Sequence, residues 1–495
     1  MMKLRRCLLL LTLLILSYCK EDRPHSGIFD RTDSMDNGIV DPKLIQFDAA
    51  SIAKTGISNP GGVVSCWLMD SDIERPRKIS FADAMKDMGV KYIRFPYGHL
   101  ADNYLWDADG DWGNTLTPKV ATKSETPGNW DWAVDSLSRD FIKDMDFDEY
   151  ISICKEVEAE PMVVVNIMSY KYTNGPSYEE LKESAVEWVR YANVVKGYNV
   201  KRWALGNEVD HHPDVITLSE YKVLYSDFAA AMKAVDPTIM VGPGLLGNWF
   251  SSMLKHDPGN IDFICAHNYL YNYNWRLQDY EGWKNTTDKM VNNIQSCQSA
   301  VNNSSIPDIE IHATEMNSRP WSENSDSDDL FRALAYGEML MNAVSLDNVV
   351  ATYVWNTHGP WSGPDKNVSY NVLDLDNERG PRGDVIKLIN DNISENLIKM
   401  EPVQDFLRIY ATINDNKDEL TIFIINKNDQ PNKVVLKPAN FNLPTIYGVR
   451  SYYGSNPFVK IPVLSDWQQL EVGNDQLDVD LPALSMNIIK LKASE

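Results

Sequence analysis

The chain is short of positive charge. Its 495 residues include 47 Lys and Arg but 70 Asp and Glu, so the formal net charge is −23. Nucleic-acid binding relies on Lys and Arg side chains that neutralise backbone phosphates, so this balance excludes a nucleic-acid partner. The hydrophobic fraction of 43% excludes a disordered chain and suffices for a large folded core.

Long apolar runs are also missing. The run from Cys7 to Leu16 has 10 residues, whereas a membrane-spanning helix needs about 20. Because Lys3 and Arg5 precede it, this run is typical of an export signal. We therefore expect residues 1–18 to be a signal peptide, which implies an exported protein.

The end of this run is similar to a bacterial lipobox. It reads Leu16-Ser17-Tyr18-Cys19, and this resemblance predicts that Cys19 carries a lipid. Residues 19–40 are then a lipid-anchored tether, and the protein is an outer-membrane or cell-surface lipoprotein of a bacterium. An ordinary secretory signal with a chance cysteine is the alternative.

Several motifs of metal, phosphate and nucleophile chemistry are absent. No two cysteines have the C-x-x-C spacing of zinc or redox sites. There is no G-x-x-x-x-G-K-S/T loop and no G-x-S-x-G elbow. The pair His211-His212 is interpreted as a solvated loop, so we predict no metal and no cofactor. Four cysteines lie in apolar or helical patterns and are predicted to be buried: Cys66, Cys154, Cys265 and Cys297.

Between residues 60 and 398, apolar strand patterns alternate with helical ones. Such alternation indicates parallel strands joined by helical crossovers. Eight units of this kind predict a (β/α)8 TIM barrel in the α/β class. The predicted strands are Gly61–Trp67, Val90–Phe95, Met162–Asn166, Val200–Glu208, Thr238–Gly242, Ile261–His267, Ile309–Glu315 and Val349–Trp355.

The C-terminal part has a different pattern. Residues 399–495 show alternating strand patterns and turn signals without convincing helices, which predicts a small all-β sandwich. The strand-like Leu44–Phe47 lies in the segment 41–59, which we expect to join this sandwich. The chain therefore divides into an N-terminal segment, a catalytic barrel and a β-sandwich.

Two carboxylates follow apolar barrel strands. Glu208 ends the fourth strand and Glu315 the seventh, and active sites of such barrels lie at the carboxyl ends of the strands. Glycoside hydrolysis uses two carboxyl groups, one protonated and one charged, and the charge of one raises the pKa of the other. Arg94 ends the second strand and can keep a carboxylate ionised. His267 and Tyr269 end the sixth strand as further site candidates, with buried core polar groups as the alternative.

Tryptophan is abundant in the predicted loops at this face of the barrel. Flat aromatic rings match the apolar C–H faces of sugars, although part of this set is expected to be loop core. Ten of the 14 Trp fall here: Trp106, Trp112, Trp130, Trp132, Trp249, Trp275, Trp283, Trp321, Trp355 and Trp361.

The motifs around these strands resemble those of glycoside hydrolase clan A, especially its α-L-arabinofuranosidases. The match is carried by Trp203–Asp210 (WALGNEVD), Arg94-Phe95-Pro96, Glu160–Asn166 (EPMVVVN) and Ile261–Tyr269 (IDFICAHNY). Residues 481–485 (LPALS) are similar to the last turn and strand of that family's β-sandwich.

The resemblance implies a role for each matching residue. Glu208 would be the acid/base and Glu315 the nucleophile of a retaining mechanism. The remaining residues would bind substrate or support the carboxylates: Arg94, Asn166, Asn207 for the sugar 2-hydroxyl, His267, Tyr269 as hydrogen-bond donor to Glu315, and Trp355 as the floor of the subsite. The expected partner is a plant or algal polysaccharide or oligosaccharide.

Two departures from the family pattern keep alternatives open. His211-His212-Pro213 follows the acid/base motif, and Glu315 lies within Ala313–Asn317 (ATEMN). An endo-acting β-agarase or porphyranase is the alternative within the clan. A non-catalytic glycan-binding surface lipoprotein is the alternative from another class.

Overall fold

The computed structural model of the protein describes residues 42–107, 116, 118–121, 131–138, 140–245, 249–270, 279–318, 328–361, 363–365, 370–400 and 405–494. Cys19, the signal-like segment and the tether lie outside these ranges, as do Trp112, Trp130, Trp275 and Trp321. Within the described part, no helix has the length and apolar character needed to cross a membrane.

The strands fall into a barrel and a sandwich. They are β1 (Lys43–Asp48), β2 (Ile52–Lys54), β3 (Gly61–Val64), β4 (Tyr92–Phe95), β5 (Tyr104–Leu105), β6 (Lys119–Val120), β7 (Glu160–Val165), β8 (Arg202–Leu205), β9 (Met240–Pro243), β10 (Phe263–Tyr269), β11 (Glu310–Asn317), β12 (Val349–Val354), β13 (Asn396–Ile398), β14 (Leu407–Ile413), β15 (Glu419–Asn426), β16 (Asn432–Ala439), β17 (Ile446–Tyr453), β18 (Val463–Leu464), β19 (Gln468–Glu471), β20 (Leu477–Leu481) and β21 (Ser485–Lys492).

The α-helices lie mostly between barrel strands. They are α1 (Phe81–Asp87), α2 (Phe147–Val157), α3 (Tyr178–Val189), α4 (Leu218–Val235), α5 (Phe250–His256), α6 (Tyr280–Asn285), α7 (Asn292–Asn302), α8 (Leu330–Val344) and α9 (Pro381–Asn390).

Eight parallel strands form the barrel. Their order is β10-β11-β12-β3-β4-β7-β8-β9. The two ends of this series meet where the Asp262 N–H donates to the carbonyl of Val241 (2.9 Å) and the Val241 N–H donates to the Asp262 carboxylate (2.7 Å). The strand bodies are buried apolar runs, as expected for strands covered by helices. The predicted TIM barrel is confirmed.

Side-chain caps fix where several barrel helices begin. The Asp146 carboxylate accepts the Glu149 N–H at 2.8 Å at the start of α2. Ser177 with Glu180 forms a capping box at α3. Each cap satisfies backbone N–H groups that have no partner within the helix. The last helix begins at Pro381, because proline suits the first helical position, and ends at Asn390.

The C-terminal strands form two facing sheets, as predicted. One has the order β1-β16-β20 and the other β18-β17-β21-β15-β14-β13-β2. An apolar cluster that includes Ile422, Ile489 and Leu436 lies between them. The N-terminal strand β1 pairs in parallel with β16, and β2 pairs with β13. Residues 396–398, which the sequence assigned to the barrel, thus belong to a sandwich sheet.

A buried ionic cluster joins the barrel to the sandwich. The Glu338 carboxylate on α8 accepts hydrogen bonds from Arg408 (2.8 Å) and from the indole N–H of Trp283 (2.8 Å), and it pairs with Lys427 at 3.1 Å. Burial lowers the pKa of Lys427 to about 8, against the opposing effect of Glu338. Removing one partner of such a buried set leaves the others uncompensated.

All four described cysteines are free and buried, as predicted. Cys66 follows β3 and Cys265 lies within β10, and neither forms a disulfide. Burial raises the pKa of Cys265 to about 11. These thiols therefore behave as small apolar side chains.

Candidate active site

A sharp turn after β8 places Glu208. Gly206 has a φ of +80° and Glu208 has a φ of +46°, a region that non-glycine residues seldom adopt. The Gly206 N–H donates to the Val165 carbonyl (2.9 Å), and the Val209 N–H donates to the Gly244 carbonyl (3.2 Å). These contacts to neighbouring strands hold the strained backbone, and such strain is concentrated at functional sites.

Glu315 lies on β11, which pairs with β10 in the barrel wall. In the parallel pair β10–β11, His267 is directly opposite Glu315. Tyr269 lies two residues further along β10, so its side chain points to the same side of the strand. The register thus brings a carboxylate, an imidazole and a phenol together at the carboxyl end of the barrel.

Two donors hold the Glu315 carboxylate. Arg94 Nη1 lies 2.9 Å from Glu315 Oε1, and the Tyr269 hydroxyl donates to Oε2 at 2.6 Å. His267 Nδ1 lies 3.4 Å from the same Oε2. Hydrogen bonds and a positive charge both favour the ionised form of a carboxyl group.

The second carboxylate is linked to the first through His267. His267 Nδ1 lies 2.6 Å from Glu208 Oε1, and His211 Nδ1 lies 3.4 Å from Glu208 Oε2. One oxygen of Glu208, one of Glu315 and a ring nitrogen of His267 all lie within 4.8 Å of one another. Both carboxyl groups therefore face one small space.

The pKa of Glu208 is lowered from its ordinary value. Burial raises it, but the hydrogen bonds and positive charges of His211 and His267 lower it by more. The same contact raises the pKa of His211, because its protonated form donates to Glu208. This direction opposes the expectation that the acid/base carboxyl group is the protonated member of the pair.

The three groups are also spaced closely enough for a metal ion, which the sequence did not predict. The contact of 2.6 Å between His267 Nδ1 and Glu208 Oε1 is a direct hydrogen-bond distance. An ion about 2.1 Å from both atoms would form a ligand–metal–ligand angle far below tetrahedral. The geometry favours a shared proton at this position.

Asn207 presents an unused donor beside the carboxylates. Its Oδ1 accepts a hydrogen bond from Arg94 Nη2 at 2.5 Å. Its Nδ2 is buried and has no hydrogen-bond partner among the described residues. A buried amide N–H without a partner is costly, so this group is available for a ligand oxygen.

Trp355 forms one wall of the same space. Its ring packs against Tyr97 with 4.4 Å between ring centroids. A Cβ atom at Gly98 would lie 2.4 Å from the Trp355 ring and 2.6 Å from Glu315 Oε1. Glycine at position 98 is thus required for both side chains to stay where they are.

A stacked ring pair lies close to the two carboxylates. His99 and Trp361 stack with 5.2 Å between centroids and an interplanar angle of 9°. Burial lowers the pKa of His99, while Glu315 and Glu208 raise it. His99 was not singled out in the sequence because a lone histidine after a strand carries no spacing signal.

Some sequence candidates have partners other than the carboxylates. The Asn166 amide bonds the Tyr104 carbonyl and the N–H groups of Met168 and Ser169, so it shapes the loop after β7. Trp106 is buried, and Trp283 bonds Glu338 in the cluster facing the sandwich. Conversely, His211, interpreted from sequence as solvated, contacts Glu208.

Comparison with known proteins identifies relatives of the chain. The family described as alpha-L-arabinofuranosidase 1 domain matches residues 84–288. An intracellular exo-α-(1→5)-L-arabinofuranosidase of Acetivibrio thermocellus is 25% identical over 399 residues, which cover 70% of this chain and 75% of that protein. The corresponding enzyme 1 of Bacillus subtilis is 26% identical over 235 residues, 42% of each chain.

The fold has solved counterparts. The α-L-arabinofuranosidase of Thermotoga maritima, solved as an arabinose complex, superposes with a TM-score of 0.70 at 17% identity, covering 91% of this chain and 99% of that one. The predicted resemblance to clan A α-L-arabinofuranosidases is confirmed, and with it the prediction that the chain is a glycoside hydrolase. The galactan-degrading and non-catalytic alternatives are not favoured.

The predicted location is wrong. Relatives from Acetivibrio thermocellus, Halalkalibacterium halodurans and Bacillus subtilis are all named intracellular enzymes. This finding contradicts an exported surface lipoprotein. The prediction rested on a short apolar run after basic residues. That run lies outside the residues that the structure describes.

Proposed function

We propose that the protein is a retaining α-L-arabinofuranosidase that acts on arabinose-containing plant polysaccharide or its fragments. The observation that carries this proposal is the close approach of Glu208 and Glu315. One oxygen of each lies within 4.8 Å of the other, near the ~5–5.5 Å separation of carboxyl groups in retaining enzymes and short of the ~6.5–9.5 Å of inverting ones. An inverting enzyme needs room for water between sugar and base.

Glu315 is the nucleophile in this proposal. The Arg94 guanidinium and the Tyr269 hydroxyl both bond its oxygens, which orients the carboxylate for attack. It attacks the anomeric carbon and the bond to the leaving oxygen breaks, giving a glycosyl ester on Glu315. The Asn207 Nδ2 group donates to a sugar hydroxyl, and the Trp355 ring packs against the sugar.

Glu208 is the acid/base. His267 Nδ1 lies 2.6 Å from Glu208 Oε1, so this contact orients the carboxyl group that gives its proton to the leaving oxygen. Once Glu315 is esterified, its negative charge is gone, so Glu208 more readily stays ionised and takes a proton from water. Water then releases the sugar with retained configuration.

The names of the relatives support arabinose as the sugar that the enzyme releases. Curated proteins that match the chain are arabinofuranosidases of bacteria and fungi. A panel of 4-nitrophenyl glycosides tests this choice, and we expect the α-L-arabinofuranoside to be cleaved fastest. NMR during the reaction should show the α-anomer of arabinose forming first. Preference for a β-galactoside, or first formation of the β-anomer, would contradict the proposal.

A further inference from the structure

A groove opens where the sandwich leaves the barrel. Its volume is about 800 Å³, and it is lined by one end of β15, β17, β19 and β21 together with residues 391–395. The other end of the same sheet, around Tyr452 and Met486, packs into the barrel core. The groove is therefore the part of this sheet face that the barrel does not cover.

The groove contains a tryptophan lying on a glycine. A Cβ atom at Gly448 would lie 3.3 Å from the Trp467 ring, so the indole rests directly on the backbone of β17. Trp467 keeps 38% of its surface exposed. The Lys490 ammonium and the Arg450 guanidinium lie 5.7 and 5.9 Å from the centroid of this ring, beside the apolar surface that the indole leaves exposed.

Polar side chains flank this ring. Gln469 and Lys490 are the residues directly opposite Gly448 on the two neighbouring strands, and they are exposed. Asn392 and Glu395 face the groove from the barrel side. Within the described part of the chain, the Gln469 side chain makes no hydrogen bond. Amide, ammonium and carboxylate groups around an aromatic face match the polar edges and apolar C–H face of a neutral sugar ring.

The groove lies at the end of the barrel opposite the two carboxylates. Asn390 precedes the groove segment, and its amide bonds both backbone groups of Gly61, the first residue of β3. Gly61 marks the amino end of the barrel strands, whereas Glu208 and Glu315 lie at the carboxyl end. A glycan in the groove thus leaves the active site open.

We propose that this groove is a second glycan-binding site, which holds a neutral polysaccharide chain while the active site cuts elsewhere on it. The choice of an arabinan as its ligand rests on the proposed function; the site itself rests on Trp467 and its surroundings. The bound sugar stacks on Trp467, with Gln469 and Lys490 bonding its hydroxyls.

Electrophoresis through a native gel that contains branched arabinan tests the site directly, because binding to the arabinan slows (retains) the protein. The parent protein is Glu315→Gln, which cannot cut the arabinan. Free arabinose is added to fill the active site. Trp467→Ala should weaken retention about tenfold or more. Trp467→Phe should keep most of it, because the apolar face remains.

Phe458→Ala is the matched control, since Phe458 is an exposed aromatic residue of the same domain outside the groove. Unchanged retention of this control together with loss in Trp467→Ala supports the site. Equal retention with and without Trp467, equal losses in both variants, or no retention of the parent would overturn it.

A small substrate separates this proposal from the proposed function. In the otherwise unaltered enzyme, Trp467→Ala should leave kcat/KM on 4-nitrophenyl α-L-arabinofuranoside unchanged and raise KM on arabinan. An enzyme inactive on the aryl glycoside but retained by arabinan through Trp467 refutes the arabinofuranosidase proposal alone. Reduced kcat/KM on the aryl glycoside in Trp467→Ala would refute a separate site.

Discussion

Gly98→Ala is expected to disable the enzyme without unfolding it. The added Cβ would lie 2.4 Å from two atoms of the Trp355 ring and 2.6 Å from Glu315 Oε1. Carbon atoms in contact lie about 3.5–4.0 Å apart, so the ring or the backbone must shift by about 1 Å. Both neighbours are fixed, because Trp355 packs on Tyr97 and Glu315 is bonded by Arg94.

The size of the effect follows from that displacement. A shift of about 1 Å in a positioning group costs about 10²-fold in rate, and overpacking of a filled site costs about 1–3 kcal/mol of stability. We expect kcat on 4-nitrophenyl α-L-arabinofuranoside to fall about 10²-fold. Circular dichroism should remain that of the folded enzyme, and urea unfolding should shift modestly.

A matched glycine separates this effect from a general loss of backbone freedom. A Cβ atom at Gly259 would meet no other atom within 4 Å, so Gly259→Ala should leave kcat and stability unchanged. Full activity of Gly98→Ala would refute the close packing of Glu315 and Trp355. Complete unfolding of Gly98→Ala would refute the view that the strain is local.

Three further changes test separate parts of the site and its support. Tyr269→Phe removes a hydrogen bond to the Glu315 carboxylate, worth about 1.5–3 kcal/mol, so kcat should fall about 10- to 150-fold with normal folding; an unchanged kcat counts against that bond. His211→Asn removes a contact that lowers the pKa of Glu208, so this pKa should rise and the alkaline limb of the kcat/KM profile should move to higher pH; a shift to lower pH contradicts it. Glu338→Gln leaves Arg408 and Lys427 without the negative charge that they pair with, so urea unfolding should show a loss of about 3–5 kcal/mol with kcat unchanged in the folded protein; equal stability would contradict it.

The sequence predicts the barrel well because its signals are local. Runs such as Met162–Asn166 are apolar and bounded by turns, which indicates buried parallel strands whatever surrounds them. The same pattern puts Glu208 and Glu315 at strand ends, and the topology of a barrel brings such ends together. Short strands such as β18 and β19 have exposed residues and no comparable pattern, so they were not predicted.

Contacts between residues from distant segments of the chain could not be predicted from the sequence. The approach of His211 to Glu208 depends on the turn at residues 206–208, and the position of Trp283 under the sandwich depends on Glu338. Gly98 carries no signal of its own, because its importance comes from a tryptophan more than 250 residues away. These features require the packed structure, in which side chains from distant segments compete for the same space.

Azide rescue tests the two carboxylate roles most directly. The substrate is an aryl α-L-arabinofuranoside with a good leaving group, which forms the ester on Glu315 without acid assistance. Glu208→Ala should be slow alone, and azide should accelerate it and give the α-arabinosyl azide, because azide attacks the ester without a general base. Glu315→Ala should give no azide of retained configuration. A retained azide from Glu315→Ala, or full activity of Glu208→Ala on arabinan, would contradict the account.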